Sequence, residues 1–169
     1  MASEMGEMIR LDDLSGSEVA AFIDEHICEM KDVSPPESNH ALDLDGLRDP
    51  SIRFWTVWGG TTLIGCGGLK RLNDSQAEIK AMRTHRLYRG KGVGSRLLEH
   101  LITDARNSGI TDLFLETGSF SFFEPARALY AKSGFSYCEP FGDYVADPNS
   151  VFMCITSPKR TVIRRRIRP

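Results

Sequence analysis

Apolar residues in the first part of the chain recur at the spacing of a helix. Over residues 15–33 they fall three or four positions apart, at Val19, Phe22, Ile23, Ile27 and Met30. This spacing predicts an amphipathic helix. Residues 8–14 before it predict a strand. After a break at "SPPESNH", residues 41–49 predict a second, short helix.

After residue 50 the period changes from that of a helix to that of strands. Residues 52–58, 62–72 and 76–84 are apolar or alternating segments, separated by turns at Gly59-Gly60 and at "NDS". Short strands bounded by turn residues at this spacing are typical of β-hairpins. The middle of the chain therefore predicts an antiparallel run of three strands.

The remaining chain predicts alternating helices and strands. Residues 93–108 predict a helix that Gly109 ends, with an apolar face of Val93, Leu97, Leu98, Leu101, Ile102 and Ala105. A strand at 112–118, a helix at 124–134 and strands within 135–144 and 150–156 follow. The order β-α-α-β-β-β-α-β-α-β-β predicts an α+β fold, with one mixed, mostly antiparallel central sheet flanked by helices.

Composition and charge restrict the class of protein. The 169 residues are 41% hydrophobic and 26% charged, and their net charge is −2. Six basic and no acidic residues lie in 159–169, so the remaining residues carry −8, six units below the whole chain. An acidic body argues against a nucleic-acid partner. No apolar run reaches membrane-spanning length, and the first residues do not resemble a signal peptide. We expect one cytoplasmic domain at 1–158, a basic tail at 159–169 and no membrane partner.

Cysteine and histidine spacing gives no sign of a metal site. Cys28, Cys66, Cys138 and Cys154 form no CxxC pair, and no Cys/His cluster has the spacing of zinc ligands. We expect reduced cysteines that pack as small apolar side chains. The four histidines have no serine or cysteine partner at a telling spacing, which favours structural or solvated roles.

The sequence "LYRGKGVGSRLLEHLI" places Gly90, Gly92 and Gly94 directly before a predicted helix. Glycines in such a loop leave its amides open to close approach. The positive end of the helix dipole makes a helix N-terminus an anion site, and Arg89, Lys91 and Arg96 add positive charge. The loop therefore predicts a site for a phosphate or pyrophosphate.

Two common phosphate motifs do not fit this loop. A P-loop requires G-x-x-x-x-G-K-[ST], but His85 occupies the first glycine position and Gly92 follows Lys91. A dinucleotide-binding G-x-G-x-x-G requires glycine where Ser95 lies, and a βαβ unit around it. The preceding strand here belongs to an antiparallel run.

The pattern that fits is R-x-x-G-x-G, from Arg89 to Gly94, between a strand and a helix. With "ALYAKSGF" at 128–135, it resembles the GNAT superfamily of acetyl-CoA-dependent N-acetyltransferases over about residues 7–156. The segments "LETGSF", "PARALYAKSGFSYCEPFGDY" and "DPNSVFM" are similar to a YsnE-like bacterial subgroup. The alternative is a glycine-rich turn that only connects strand and helix.

The resemblance implies how acetyl-CoA would bind as cosubstrate. The pyrophosphate would lie on the loop at Arg89, Gly90, Lys91, Gly92, Val93, Gly94 and Ser95. The pantetheine arm would follow Met82, Arg83 and Thr84, with the Met82 amide polarising the thioester carbonyl. Phe123, Pro125 and Ala126 would line the coenzyme's path. The strand at 112–118 would part from the strand at 76–84 to admit the thioester.

The resemblance also assigns two catalytic residues. Glu78 corresponds to the general base of several members, which removes a proton from the amine directly or through water. The alternative is a strand glutamate without a catalytic role, and pairing with Lys80 on the same face would make it a poorer base. Tyr130 corresponds to the tyrosine that protonates the leaving thiolate. Its alternative is an ordinary amphipathic aromatic residue.

The acceptor is less specified than the donor. Segments 28–48 and 139–150 would build its pocket, and their carboxylates predict an acidic rim that favours a cationic amine: Glu29, Asp32, Glu37, Asp43, Asp45, Glu139, Asp143 and Asp147. Three functions stay open: acetylation of a small-molecule primary amine, acetylation of protein lysines or N-termini, and acyl-CoA binding without turnover. Pairing of two chains as a homodimer also stays open.

Overall fold

The computed structural model of the chain describes residues 6–157. The basic segment 159–169 lies outside the described residues. The strands are β1 (Glu7–Leu11), β2 (Ile52–Gly59), β3 (Thr62–Arg71), β4 (Gln76–Thr84), β5 (Asp112–Gly118), β6 (Ser136–Tyr137) and β7 (Ser150–Thr156). The helices are α1 (Ser17–Val33), α2 (Leu44–Leu47), α3 (Val93–Asn107) and α4 (Glu124–Lys132).

The seven strands form one sheet in the order β1-β2-β3-β4-β5-β7-β6. Each neighbouring pair is antiparallel except β4 and β5, which are parallel. The crossover through α3 makes this parallel pair possible, because parallel neighbours need a long connection. The predicted α+β fold with a mixed, mostly antiparallel sheet is confirmed.

Each face of the sheet carries its own hydrophobic core. The apolar stripe of α3 packs on one face, against residues such as Ile79, Leu113 and Leu115. On the other face α1 and α2 pack Phe22, Ile23 and Leu47 against the β2–β3 hairpin. Because both faces are covered, polar side chains in the central strands need partners from the protein.

Element boundaries differ from the sequence-based prediction in three places. The strand predicted over 8–14 spans Glu7–Leu11. The short helix predicted over 41–49 spans only Leu44–Leu47, where Asp43 caps Gly46 N at 2.8 Å. The strand predicted within 135–144 is only Ser136–Tyr137. Pro140 lies in this segment, and Phe141 turns inward to stack on Phe114 at a ring distance of 4.8 Å, so the chain leaves the sheet edge early.

An irregularity in β4 interrupts its pairing with β3. Gly68 pairs with Lys80 and Cys66 with Arg83, so two β4 residues lie opposite Gly67. Ala81 there has φ 55°, a left-handed conformation unusual for a side-chain-bearing residue. A Cβ on Gly67 would lie 2.7 Å from Met82 Sδ. The bulge therefore re-aims the second half of β4, and Gly67 leaves space for Met82.

β4 and β5 are paired only at their N-terminal ends and separate beyond Ile79 and Leu115. Their parallel pairing extends from Gln76↔Asp112 to Ile79↔Leu115. β4 continues to Thr84 and β5 to Gly118 without pairing to each other. The expected parting of these strands is present, and it opens a gap through the centre of the sheet.

α1 carries a buried histidine on its inner face. His26 is 9% exposed, and burial lowers its pKa to about 4, with Arg83 acting in the same direction and Glu29 opposing it. The imidazole is therefore neutral at pH 7.

No helix among residues 6–157 is long and apolar enough to cross a membrane.

Because the pKa of His26 is lower in the folded chain, the unfolded chain binds its proton first as pH falls. We expect the free energy of unfolding to fall between pH 6.5 and about 4, with a contribution from His26 of up to about 3 kcal/mol. His26→Gln removes this contribution and flattens the pH dependence over that window. Urea unfolding at a series of pH values measures it, and equal slopes for the two proteins would contradict the expectation.

Candidate active site

Two cavities meet where β4 and β5 part. The larger cavity has a volume of about 440 Å³ and lies between the end of β4, the start of α3 and α4. The smaller cavity has a volume of about 100 Å³ and lies between α1, the 34–42 segment, β4 and β5. Both are lined by His26, Met30, Met82 and Tyr130. A molecule in one cavity can therefore reach a molecule in the other at this junction.

The larger cavity gathers nearly all of the residues that the glycine-loop motif predicts for a cofactor. They are Met82, Arg83, Thr84, Arg89, Gly90, Gly92, Val93, Gly94 and Ser95. Lys91 does not line the cavity, and its Nζ lies 5.4 Å from the centre of the Tyr88 ring. Pro125 and Ala126 line the larger cavity as predicted, whereas Phe123 lines the smaller one.

The loop before α3 is shaped as an anion site. Gly90 and Gly92 have φ of 75° and 81°, in the left-handed region that side chains rarely adopt. α3 begins at Val93, directly after Gly92, and no side chain caps its first turn. The first amides of this helix therefore point toward the larger cavity's rim without an internal partner.

Charged side chains hold α1 against β4 and the loop. Glu29 contacts Arg83 Nη1, and Glu29 Oε1 lies 3.4 Å from Arg89 Nη2. Although burial opposes the change, the two guanidinium groups hold the pKa of Glu29 below its usual range. Arg83 Nε is buried without a hydrogen-bond partner among the described residues. Glu29 thus belongs to the larger cavity and not to an acceptor rim.

Glu78 is part of a three-membered hydrogen-bond cluster in the smaller cavity. The residue is 4% exposed, and its Oε1 accepts from Lys80 Nζ at 3.0 Å and from the Tyr144 hydroxyl at 2.6 Å. Lys80 Nζ also lies 3.0 Å from the Tyr144 oxygen. The predicted pairing of Glu78 with Lys80 is present. Burial, reinforced by Glu78, raises the pKa of Tyr144 above its usual value, so this phenol stays protonated as a donor.

Glu116 on β5 also lines the smaller cavity, and the sequence analysis did not single it out. Burial raises its pKa above the usual glutamate value. The Ser150 hydroxyl, His40 and Lys80 each lower the pKa of Glu116, but together they offset the effect of burial only in part. The sequence did contain a signal for Glu116: it lies in a predicted central strand, and burying a carboxylate costs free energy unless the group has a partner or a role.

Tyr130 on α4 lies at the junction of the two cavities. The residue is 7% exposed, and burial, followed by the charge of Glu116, raises its pKa well above the usual value. The phenol is therefore protonated at neutral pH and is available as a proton or hydrogen-bond donor at the junction.

Two segments are joined next to the smaller cavity. Ser38 Oγ donates to Asp147 Oδ2 at 2.5 Å, and Asn149 Nδ2 donates to Ser38 Oγ at 3.2 Å. The rings of His40 and Tyr144 meet edge to face at 5.0 Å. These contacts tie the 34–42 segment to the segment before β7.

The predicted acidic rim is wrong in its residues. Among the described residues, the carboxylates that line the smaller cavity are Glu78 and Glu116. Asp43 caps α2 and Asp147 accepts a hydrogen bond from Ser38, and neither of these two carboxylates lines the smaller cavity. In residues 6–157 no group of three or more His, Cys, Asp or Glu side chains is arranged to hold a metal ion.

Comparison with known proteins agrees with this geometry. Residues 19–135 match the Acetyltransferase (GNAT) family. The N-acetyltransferase YsnE of Bacillus subtilis (strain 168) is 52% identical over 145 residues, which cover 86% of this chain and 96% of YsnE. The N-acetyltransferase YedL of Escherichia coli (strain K12) is 45% identical over 148 residues, which cover 88% of this chain and 93% of YedL.

Solved structures show the same fold. An acyl-CoA N-acyltransferase from Klebsiella pneumoniae superposes with a TM-score of 0.73 at 24% identity, covering 89% of this chain and 97% of its own. A Bacillus subtilis acetyltransferase in complex with CoA has a TM-score of 0.63 at 18% identity, covering 89% of this chain and 99% of its own. The matched family and the two close relatives establish that this chain belongs to the GNAT family of N-acetyltransferases.

Proposed function

We propose that this N-acetyltransferase moves an acetyl group from acetyl-CoA to a primary amine of a small molecule, by direct attack of the amine on the thioester. The observation that carries the proposal is the meeting of two cavities at Tyr130 and Met82. An uncapped helix N-terminus lies at the rim of one, and two carboxylates line the other.

Acetyl-CoA suits the larger cavity. Arg89, Gly90, Lys91, Gly92, Val93, Gly94 and Ser95 would hold the pyrophosphate, because the helix amides and nearby cations favour an anion. Met82, Arg83 and Thr84 would hold the pantetheine arm, and the Met82 amide would stabilise the thioester oxyanion. The apolar wall of Phe122, Pro125, Ala126 and Leu129 suits the methylene-rich arm of the coenzyme.

The reaction balances with the residues that line the junction. The ammonium of the acceptor first gives a proton to a carboxylate of the smaller cavity, which holds it through the transfer and releases it to solvent after the products leave. The neutral nitrogen attacks the thioester carbon, and the carbon–sulfur bond breaks. The departing sulfur takes the phenolic proton of Tyr130, and the surplus proton of the attacking nitrogen restores the phenol.

The dimensions of the smaller cavity favour a small acceptor. Its volume is about 100 Å³, a few times the volume of one water molecule. The Ser38–Asp147 hydrogen bond and the His40–Tyr144 contact hold the 34–42 segment, which forms one wall of the cavity. Its two carboxylates face one lysine, Lys80, so an ammonium group compensates the remaining negative charge.

The proposed function is tested by CoA release from acetyl-CoA in the presence of single acceptors. The acceptors are amino acids, polyamines, aminoglycosides, and peptides with a free lysine or N-terminus. We expect small amines to be acetylated, with one acetyl group added in the mass spectrum of the product. Turnover of peptides alone would indicate a protein acetyltransferase, and acetyl-CoA binding without any turnover would indicate a binding module.

Gly92→Ala is expected to weaken acetyl-CoA binding about tenfold or more, which corresponds to ~1.4 kcal/mol. An added Cβ would lie 2.6 Å from Arg96 Nη1 and would crowd the start of α3. Gly109→Ala is the matched control, because Gly109 has a similar φ of 84° and open space around it. Isothermal titration calorimetry measures both. Equal affinity in the two variants would remove the pyrophosphate from this loop.

Tyr130→Phe is expected to lower kcat about 100-fold, since a general acid contributes on that order, and to leave the Kd for acetyl-CoA nearly unchanged. Tyr137→Phe is the control, because Tyr137 lies 67% exposed on the edge strand β6. Steady-state CoA release and calorimetry separate the two effects. A Tyr130→Phe enzyme with wild-type kcat would exclude Tyr130 as the acid.

A further inference from the structure

We propose that Glu116 is the general base that takes the proton from the acceptor ammonium, and that Glu78 serves as the fixed anion that holds Lys80 and Tyr144 in place. This inference rests on the proposed function. It reverses the assignment that the family resemblance favours for Glu78. The two carboxylates of the smaller cavity differ in how far their oxygens are already hydrogen-bonded by the protein.

The Glu78 carboxylate is occupied by the protein itself. One oxygen, Oε1, accepts from both the Lys80 ammonium and the Tyr144 hydroxyl. Hydrogen bonds from a cation and a phenol stabilise the ionised form of a carboxylate. Proton transfer to Glu78 would break this charge pair and leave Lys80, with a side chain 10% exposed, as an unbalanced buried cation. Glu78 is therefore built to stay charged.

The Glu116 carboxylate has far less engagement. Among the described residues, Ser150 on β7 is the hydroxyl close enough to influence it, and that buried hydroxyl reaches no partner with good hydrogen-bond geometry. The charged or titratable groups around Glu116 are Glu78 and Lys80 on β4, His40 on the 34–42 segment, Tyr130 on α4, and Tyr144 in the segment before β7. Glu116 thus faces the cavity with a carboxylate that an incoming ammonium can pair with.

Burial makes Glu116 the better proton acceptor. The pKa of this carboxyl is raised by desolvation, with a smaller contribution from the negative charge of Glu78. A base whose pKa is closer to the operating pH accepts a proton more effectively. The Lys80–Glu78 pair is close to neutral, so the cavity keeps one negative charge at Glu116, which both attracts the ammonium and removes its proton.

Glu116 also acts on the leaving-group side of the reaction. Its negative charge contributes to the raised pKa of Tyr130. When the amine's proton neutralises Glu116, that contribution disappears and the phenol becomes a stronger acid. Uptake of the proton from the nucleophile therefore favours release of the Tyr130 proton to the leaving sulfur. Glu78, which stays ionised in its pair, does not provide this link.

The kinetic test compares Glu116→Gln with Glu78→Gln on an amine that the wild-type enzyme acetylates. We expect Glu116→Gln to lower kcat/KM about 100-fold near neutral pH and to move the acid limb of the pH profile up to the pKa of the acceptor amine. Its activity should therefore recover only where the free amine becomes abundant. Glu78→Gln should lower activity but leave the acid limb at its wild-type pH. Glu99→Gln, at an exposed position on α3, is the control for the substitution itself.

The opposite pattern overturns the proposal: a Glu116→Gln enzyme whose acid limb stays at the wild-type pH, or a Glu78→Gln enzyme whose acid limb moves up to the pKa of the amine. Acetyl-CoA affinity, measured by calorimetry, should stay unchanged in Glu116→Gln, because the residue lines the smaller cavity and not the larger one. Absence of wild-type turnover with every amine would remove the proposed function itself, and the base role with it.

Carboxyl ¹³C NMR of glutamate-labelled protein gives a readout that needs no turnover. The resonance missing from Glu116→Gln identifies Glu116, and we expect it to titrate above the usual glutamate range. The Glu78→Gln substitution should lower the midpoint of the Glu116 titration, because a neighbouring negative charge is lost. A Glu116 midpoint within or below the usual range would contradict the proposal even if amines are acetylated.

Discussion

The parting of β4 and β5 is the constraint on which the rest of the site depends. Two parallel strands that stayed paired to their ends would close the centre of the sheet with backbone hydrogen bonds. Pairing ends at Ile79↔Leu115, and the bulge at Ala81 turns the second half of β4 aside. The gap lets a cavity on one side of the sheet meet a cavity on the other. Tyr130 and Met82 lie at this junction.

Around the gap, the protein separates two kinds of electrostatic environment. The larger cavity ends at the amide-rich start of α3, and Glu29 holds Arg83 and Arg89 near its entrance. The smaller cavity contains carboxylates, of which Glu78 is neutralised by Lys80 and Glu116 is not. An anion is therefore favoured at one end of the combined space and a cation at the other. Such a division suits a reaction between a phosphate-bearing donor and an amine.

Local sequence patterns predicted most of the helices and strands and part of the candidate site. Hydrophobic periodicity placed α1, α3 and the central strands nearly to their ends, because helices and strands bury one face at a regular spacing. The glycine loop also predicted an anion site, and Gly90 and Gly92 have the positive φ that favours glycine there. The periodicity did not predict that the chain leaves the sheet after Tyr137, because the stacking of Phe141 on Phe114 joins residues far apart in sequence.

The sequence by itself determined the fold class, the glycine loop before α3 and the presence of Tyr130 and Glu78 as candidate groups. Only the tertiary structure decided which acids face the smaller cavity. Asp147 binds Ser38, Glu29 binds two arginines, and Glu116 comes forward from β5. The reason is physical: the behaviour of a carboxylate depends on its burial and on its partners. Those partners come from segments whose meeting no local pattern records.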